Sequence, residues 1–163
     1  AGGADVILIP EIPWNINSIR KKLDDVRKTG RNFALVVVSE AVRTPEGVPV
    51  HKNDESGRKR YGGIGEYVAH LIAEATGAET RVTVLGHVQR GCQPNHTDRL
   101  LGQTMAVRAV DLISEGKFGR MVAWQNRQVI DIPLAEAIAT YQAVEPGSTM
   151  LRTARALGVC VGD

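Results

Sequence analysis

Two unbroken apolar runs, Val6-Ile7-Leu8-Ile9 and Phe33 to Val38, stand on either side of an amphipathic stretch. That order constrains this chain more than any other feature. A strand buried on both faces reads as a continuous apolar run rather than an alternation. Between the runs Ile16, Ile19, Leu23 and Val26 recur at helical spacing, with Asn17 or Ser18 as the expected N-cap and Gly30 as the stop. Strand, helix, strand is a βαβ unit, and such a crossover yields parallel strands. The expected fold class is α/β with a parallel sheet.

The second run ends in Ser39-Glu40. Ligands of open α/β sheets bind outside the carboxyl ends of the strands, where a carboxylate can accept hydrogen bonds from hydroxyl groups. Position alone equally allows Glu40 to cap a loop or meet a surface cation. Residues 41–62 read as a long polar loop without periodicity, containing Pro45, Pro49 and the basic run Arg58-Lys59-Arg60. A loop of that length is either functional or mobile, and a short basic run is more often solvated than engaged. Ile64, Val68, Leu71, Ile72 and Ala75 then mark a helix that stops at Gly77.

Thr80 to Leu85 alternates β-branched residues and reads as a strand. It leads into Gly86-His87-Val88-Gln89-Arg90-Gly91, a glycine-flanked polar loop. Past Pro94, Asn95 and Asp98 form a capping pattern for a helix whose buried face is Leu101, Met105, Ala109, Leu112 and Ile113 and which ends at Gly116. Strand, glycine-flanked loop and helix start together suit an anion, because backbone N–H groups approach closely and the helix end adds positive potential. An ordinary connecting loop with surface arginines fits the same pattern. Downstream, Met121–Trp124 and Val129–Ile132 bracket Gln125-Asn126-Arg127-Gln128 as a hairpin. Pro133 suits the first turn of a helix through Tyr141, and Ser148 caps a last helix to Leu157.

At 163 residues the chain is long enough to bury one sizeable core. A formal net charge of +2 is too small to indicate a nucleic-acid partner. The two cysteines, Cys92 and Cys160, have no metal-type spacing. No apolar run approaches the ~18 residues of a membrane span, and no leader pattern is visible, so the expected setting is cytoplasmic. The start at Ala-Gly-Gly-Ala-Asp, without an initiator methionine, is expected of a fragment or a processed chain.

The run Glu79-Thr80-Arg81-Val82-Thr83-Val84-Leu85-Gly86-His87-Val88-Gln89-Arg90-Gly91, with Pro94 and Asp98-Arg99 after it, resembles the 6-phosphofructokinase family. Gly2-Gly3-Ala4-Asp5, Ile9-Pro10-Glu11, Val38-Ser39-Glu40 and Trp124-Gln125-Asn126 add to the resemblance, which spans nearly the whole chain. It implies the C-terminal portion of a three-layer parallel-sheet fold. Residues 1–88 and 140–163 would belong to a sugar-phosphate lobe, and 89–139 would pack with a donor-nucleotide lobe. The family transfers a phosphoryl group to the 1-hydroxyl of fructose 6-phosphate from ATP or, in one branch, pyrophosphate, with Mg²⁺.

Carried over by position, Glu40 would hydrogen-bond the sugar, and His87 would bind its 6-phosphate. Arg90 would contact the substrate near the transferring group, with Val88 and Gln89 in the same substrate-binding stretch. Arg81 would reach a phosphate bound by a neighbouring subunit of a homodimer or homotetramer. The catalytic aspartate, the donor loop and the Mg²⁺ ligands of the family have no counterpart among these residues. The full-length protein would then be the kinase, and this chain alone would carry no catalytic residue. Regulated members bind a nucleotide effector, and the matching positions here are Gly3, Asp5, Gly30 and Arg31. Lys28-Thr29-Gly30-Arg31-Asn32 is less basic than their cluster, so nucleotide allostery of the usual kind is not expected.

Two further departures are Cys92, where the family commonly has a glycine, and the 41–62 segment. If position 92 needs a positive φ, cysteine would be strained there. The long segment sets the chain nearer a branch that includes pyrophosphate users. Two other readings compete: a non-catalytic homologue that binds sugar phosphates, and a generic anion-binding α/β module.

Overall fold

The computed structural model describes residues 2–53, 57, 59–139 and 141–163, without the side chains of Lys52, Asn53, Lys59, Arg60, Tyr61, His87 and Arg90. The chain divides into two compact units, Ala1–Val84 with Ala143–Asp163, and Leu85–Gln142.

The first unit is built on the βαβ crossover. Strand β1 (Val6–Leu8) is followed by helix α1 (Ile16–Lys28) and by strand β2 (Val36–Val38), and the two strands pair in parallel with Val6 opposite Val36 and Leu8 opposite Val38. The cap of α1 lies earlier than expected. Asn15, in extended backbone, accepts from Ser18 N–H at 2.9 Å, so the helix begins before Asn17. Only the last three residues of the Phe33–Val38 run form strand, and Phe33 and Val37 are exposed. An apolar run records the capacity to be covered on both faces, and among the described residues β2 has only β1 as a paired neighbour.

Asp5, which is buried, ties this unit together. One carboxylate oxygen accepts from Leu35 N–H at 2.9 Å, and the other meets the Arg31 guanidinium. Its own N–H donates to the Leu35 carbonyl at 2.9 Å, and its carbonyl accepts from Cys160 N–H at 2.9 Å. Burial works to raise the Asp5 pKa, but the Arg31 contact and the Leu35 N–H outweigh it and hold the carboxyl below its ordinary value.

Within the 41–62 segment, read from sequence as a loop, the described residues include two paired strands. Strand β3 (His51–Asn53) pairs antiparallel with β4 (Lys59–Tyr61), and Arg43 bridges Pro49. Val42 lies in the core, and Trp14 Nε1 donates to the Arg43 carbonyl at 2.7 Å. Polar composition hid the pairing because a two-stranded excursion has no apolar face to reveal its period. Arg58 of the basic run lies outside the described residues. Helix α2 (Ile64–Thr76) follows, buries Ile64, Val68 and Ile72, and ends at Gly77 in the left-handed region. These side chains join Val6, Leu8, Trp14, Ile19, Leu23 and Val42 in one core cluster. Each such aliphatic side chain contributes about 1.5–3 kcal/mol on burial.

Thr80 to Leu85 departs from expectation. The stretch is not in a strand and pairs with no strand among the described residues. Alternating β-branched residues favour extended backbone, but a strand needs a ladder partner as well. The glycine-flanked stretch is not a loop either, since it folds as a five-residue helix α3 (Gly86–Arg90) in the second unit.

In the rest of the second unit the helix start and the hairpin agree with the sequence reading, whereas Pro133 ends a strand instead of opening a helix and Tyr141 lies outside helix. Helix α4 (His96–Ser114) opens on the expected capping box, with Asn95 accepting from Asp98 N–H at 2.9 Å and Asp98 accepting from Asn95 N–H at 3.0 Å. Of its expected buried face, Leu112 is buried and Ile113 is exposed. Strands β5 (Arg120–Gln125) and β6 (Gln128–Pro133) form the expected hairpin, turning through Asn126 and Arg127, both at positive φ. Asp131 on β6 accepts from Arg108 of α4 at 2.6 and 3.1 Å and from Arg120 of β5. That fork joins helix to hairpin, and the Arg108 and Arg120 hydrogen bonds lower the Asp131 pKa. Helix α5 (Leu134–Ala139) closes the unit.

The chain then returns to the first unit through helix α6 (Thr149–Ala156), capped by Ser148 as expected. Beyond it Cys160 bridges Val6 in parallel, placing the tail on the edge of β1 away from β2. Among the described residues no helix is long and apolar enough to cross a membrane.

Two predictions follow from the first unit. Asp5→Asn should lower unfolding stability by roughly 1–3 kcal/mol, because a buried charged partner of Leu35 N–H and Arg31 is lost. Since the folded pKa of Asp5 is depressed, its contribution is present above the unfolded value of about 3.9 and fades as pH falls through the folded value. Urea denaturation from pH 7 down to pH 2 should show a shallower acid loss in the variant, and parallel curves would refute the pairing. Gly162→Ala should cost roughly 2–4 kcal/mol in the same assay. Gly162 has φ +98°, and an added Cβ would stand 2.5 Å from Trp14 Cβ and 3.0 Å from Leu8 Cδ2. An unchanged midpoint would show that the tail does not seat against Trp14.

Candidate functional site

Glu40 lies two residues past the end of β2, in a turn closed by Val42 N–H donating to the Ser39 carbonyl at 3.1 Å. The parallel pairing of β1 and β2 brings this turn to the carboxyl edge of both strands, where Ser39 N–H donates to the Leu8 carbonyl at 3.0 Å. The Glu40 side chain is exposed, and no hydrogen bond or ion pair engages it among the described residues. It is therefore free to accept from a polar ligand.

Arg81 lies in the segment between α2 and α3, with its side chain 87% exposed. Its Nε and Nη2 both donate to Glu79 Oε1, at 3.2 and 3.0 Å. Sequence reasoning quoted Glu79 but gave it no role. The signal was present, because residues two apart in extended backbone project to the same face.

Val88 and Gln89 are exposed on α3, and His87 and Arg90 share that helix, although their side chains lie outside the description. Glu40 and Arg81 thus belong to the first unit, and the 87–90 stretch belongs to the second. Gly91 has φ −88°, and Cys92 is not among the residues at positive φ, so cysteine carries no left-handed strain there. The start of α4 is complemented by its own Asp98 carboxylate, which accepts from Asn95 N–H.

Of the residues matching an effector site, Asp5 and Arg31 are in contact with each other. Arg31 Nε also donates to the Phe33 carbonyl at 3.1 Å, and its guanidinium stands 5.0 Å over the Phe33 ring. Gly3 and Gly30 are both at positive φ. Both Asp5 oxygens are engaged inside the fold, and Arg31 meets Asp5 and the Phe33 carbonyl. Among the described residues no group of three or more His, Cys, Asp or Glu side chains could hold a metal ion. A surface depression of about 420 Å³ lies beside α1, lined by Lys21, Lys22, Arg155 and Cys160 among others, and none of the sequence-identified residues lines it.

A sequence profile described as Phosphofructokinase matches residues 1–113. The ATP-dependent 6-phosphofructokinase 1 of Synechocystis sp. is 58% identical over 162 residues, covering 99% of this chain and 45% of the relative. The ATP-dependent 6-phosphofructokinase 1 of Nostoc sp. is 51% identical over 163 residues, covering 100% of this chain and 45% of the relative. The ATP-dependent 6-phosphofructokinase of Spirochaeta thermophila is 43% identical over 166 residues, with coverage of 100% and 45%. The chain spans less than half the length of these curated relatives. It belongs to the phosphofructokinase family.

Proposed function

We propose that this chain is the sugar-phosphate-binding, C-terminal portion of an ATP-dependent 6-phosphofructokinase. The observation that carries the reading is the similarity to relatives of that name along essentially the whole chain. The substrate is then fructose 6-phosphate, the setting is the cytoplasm, and the phosphoryl donor is ATP. The relatives cited are all named ATP-dependent, so the length of the 41–62 segment is no reason to choose pyrophosphate. In this reading residues 1–88 and 140–163 serve the sugar-phosphate lobe and 89–139 the donor lobe.

The roles follow from the chemistry of a phosphate monoester, which is dianionic near neutral pH. Arg90 and Arg81 offer planar forks that meet phosphate oxygens two at a time. His87 adds most as the imidazolium, a form that a neighbouring phosphate favours. Val88 and Gln89 hold the backbone of that stretch against the substrate, and Glu40 accepts from sugar hydroxyls. Arg81 serves the phosphate bound by a second copy in a homodimer or homotetramer. Mg²⁺ neutralises charge on the transferring phosphoryl group, and its ligands lie outside these residues, as do the catalytic aspartate and the donor loop. The Asp5–Arg31 pair we read as structural, with Gly3 and Gly30 serving backbone turns rather than a nucleotide effector. Four charged groups kept at matching positions favour an enzyme over a non-catalytic sugar-phosphate binder.

Two outcomes test this. The 163 residues alone should give no phosphotransferase activity in a coupled assay, and measurable turnover would overturn the assignment of catalysis elsewhere. In the full-length enzyme Arg81→Ala should raise KM for fructose 6-phosphate about 10- to 100-fold, as loss of charge-assisted hydrogen bonds of about 1.5–3 kcal/mol requires. KM for ATP should change little. Equal effects on both would defeat the shared-site reading.

A further inference from the structure

We infer that Glu79 is a positioning residue for Arg81, orienting its guanidinium for the phosphate dianion. The inference rests on the reading of Arg81 as a phosphate ligand. Arg81 sits between α2 and α3 on backbone that no strand pairs among the described residues, and its side chain is 87% exposed, so no packed wall sets its direction. Its only hydrogen-bond partner among the described residues is Glu79, two positions earlier. Glu79 in turn has no other charged partner among them.

The geometry of the contact decides what Glu79 does. A guanidinium carries five N–H donors in a planar fork. Glu79 Oε1 takes one from Nε and one from Nη2, along one edge of the fork. The edge shared by Nη1 and Nη2 keeps one donor on each nitrogen, and those two remain for a bidentate phosphate contact. A carboxylate beside a phosphate ligand also repels the dianion. It lies on the adjacent edge, however, and both side chains are well exposed, so solvent and salt screen the repulsion. Holding a flexible side chain in its bound orientation removes part of the ordering cost of binding.

The test is a double-mutant cycle in the full-length enzyme, with Glu79→Gln, Arg81→Ala and the pair. Glu79→Gln should raise KM for fructose 6-phosphate about two- to fivefold, the range for an exposed ion pair, and leave KM for ATP unchanged. Glu79→Asp should recover part of the loss. In the Arg81→Ala background Glu79→Gln should add nothing, because its action passes through Arg81. A KM that is unchanged or lowered by Glu79→Gln, or an effect that persists without Arg81, overturns the inference. If Arg81→Ala itself leaves KM unchanged, the phosphate role of Arg81 fails first. If only Glu79→Gln is silent, the positioning role alone is refuted.

Discussion

Asp5 is where the first unit is tied together. Through its backbone and its carboxylate it joins the start of β1, the segment entering β2 and the tail at Cys160. A buried carboxylate is tolerated only when its oxygens are satisfied, and here Leu35 N–H and Arg31 supply the partners. The same contacts fix the register of the parallel pair, which in turn sets the turn at Ser39 to Val42 and so the place of Glu40. The exposed carboxylate that would meet a sugar depends on the buried one that never does.

Much of this was legible in the chain. The βαβ order follows from two apolar runs and one helical period, and the α4 capping box and the β5–β6 hairpin follow from local residue chemistry. What sequence missed were contacts between distant residues. Nothing in the sequence marks Asp5 and Arg31 as partners, and their contact emerges only from the fold. Cys160 carries no pattern at all, because a single bridged residue has no period. The 41–62 excursion was hidden for a related reason, since its pairing leaves no apolar alternation.

Residue type nominated the candidate site residues, whereas the local shape of their stretch was less legible. Thr80 to Leu85 has strand chemistry without a strand partner, and the stretch from Gly86 coils into a helical turn where glycines had suggested an open loop. Glycine permits positive φ but does not require it, and neither Gly86 nor Gly91 uses that freedom. Several large apolar side chains remain exposed, among them Val84, Phe118, Ile138 and Tyr141. Apolar faces of that kind are ordinarily covered by further protein. A chain spanning less than half of its relatives has room for such cover elsewhere in a longer polypeptide.

The placing of the tail bears on how the first unit is assembled. One edge of β1 is covered by β2 soon after both are made, since only α1 separates them. The other edge waits for Cys160, after the whole of the second unit has been synthesised. Pairings so remote along the chain form late, because the loop must close before the contact rewards it. Until then a strand of fully buried valine and leucine keeps an open edge, the kind of surface through which nascent chains misassociate. On the ribosome, the second unit is an obligatory delay in finishing the first.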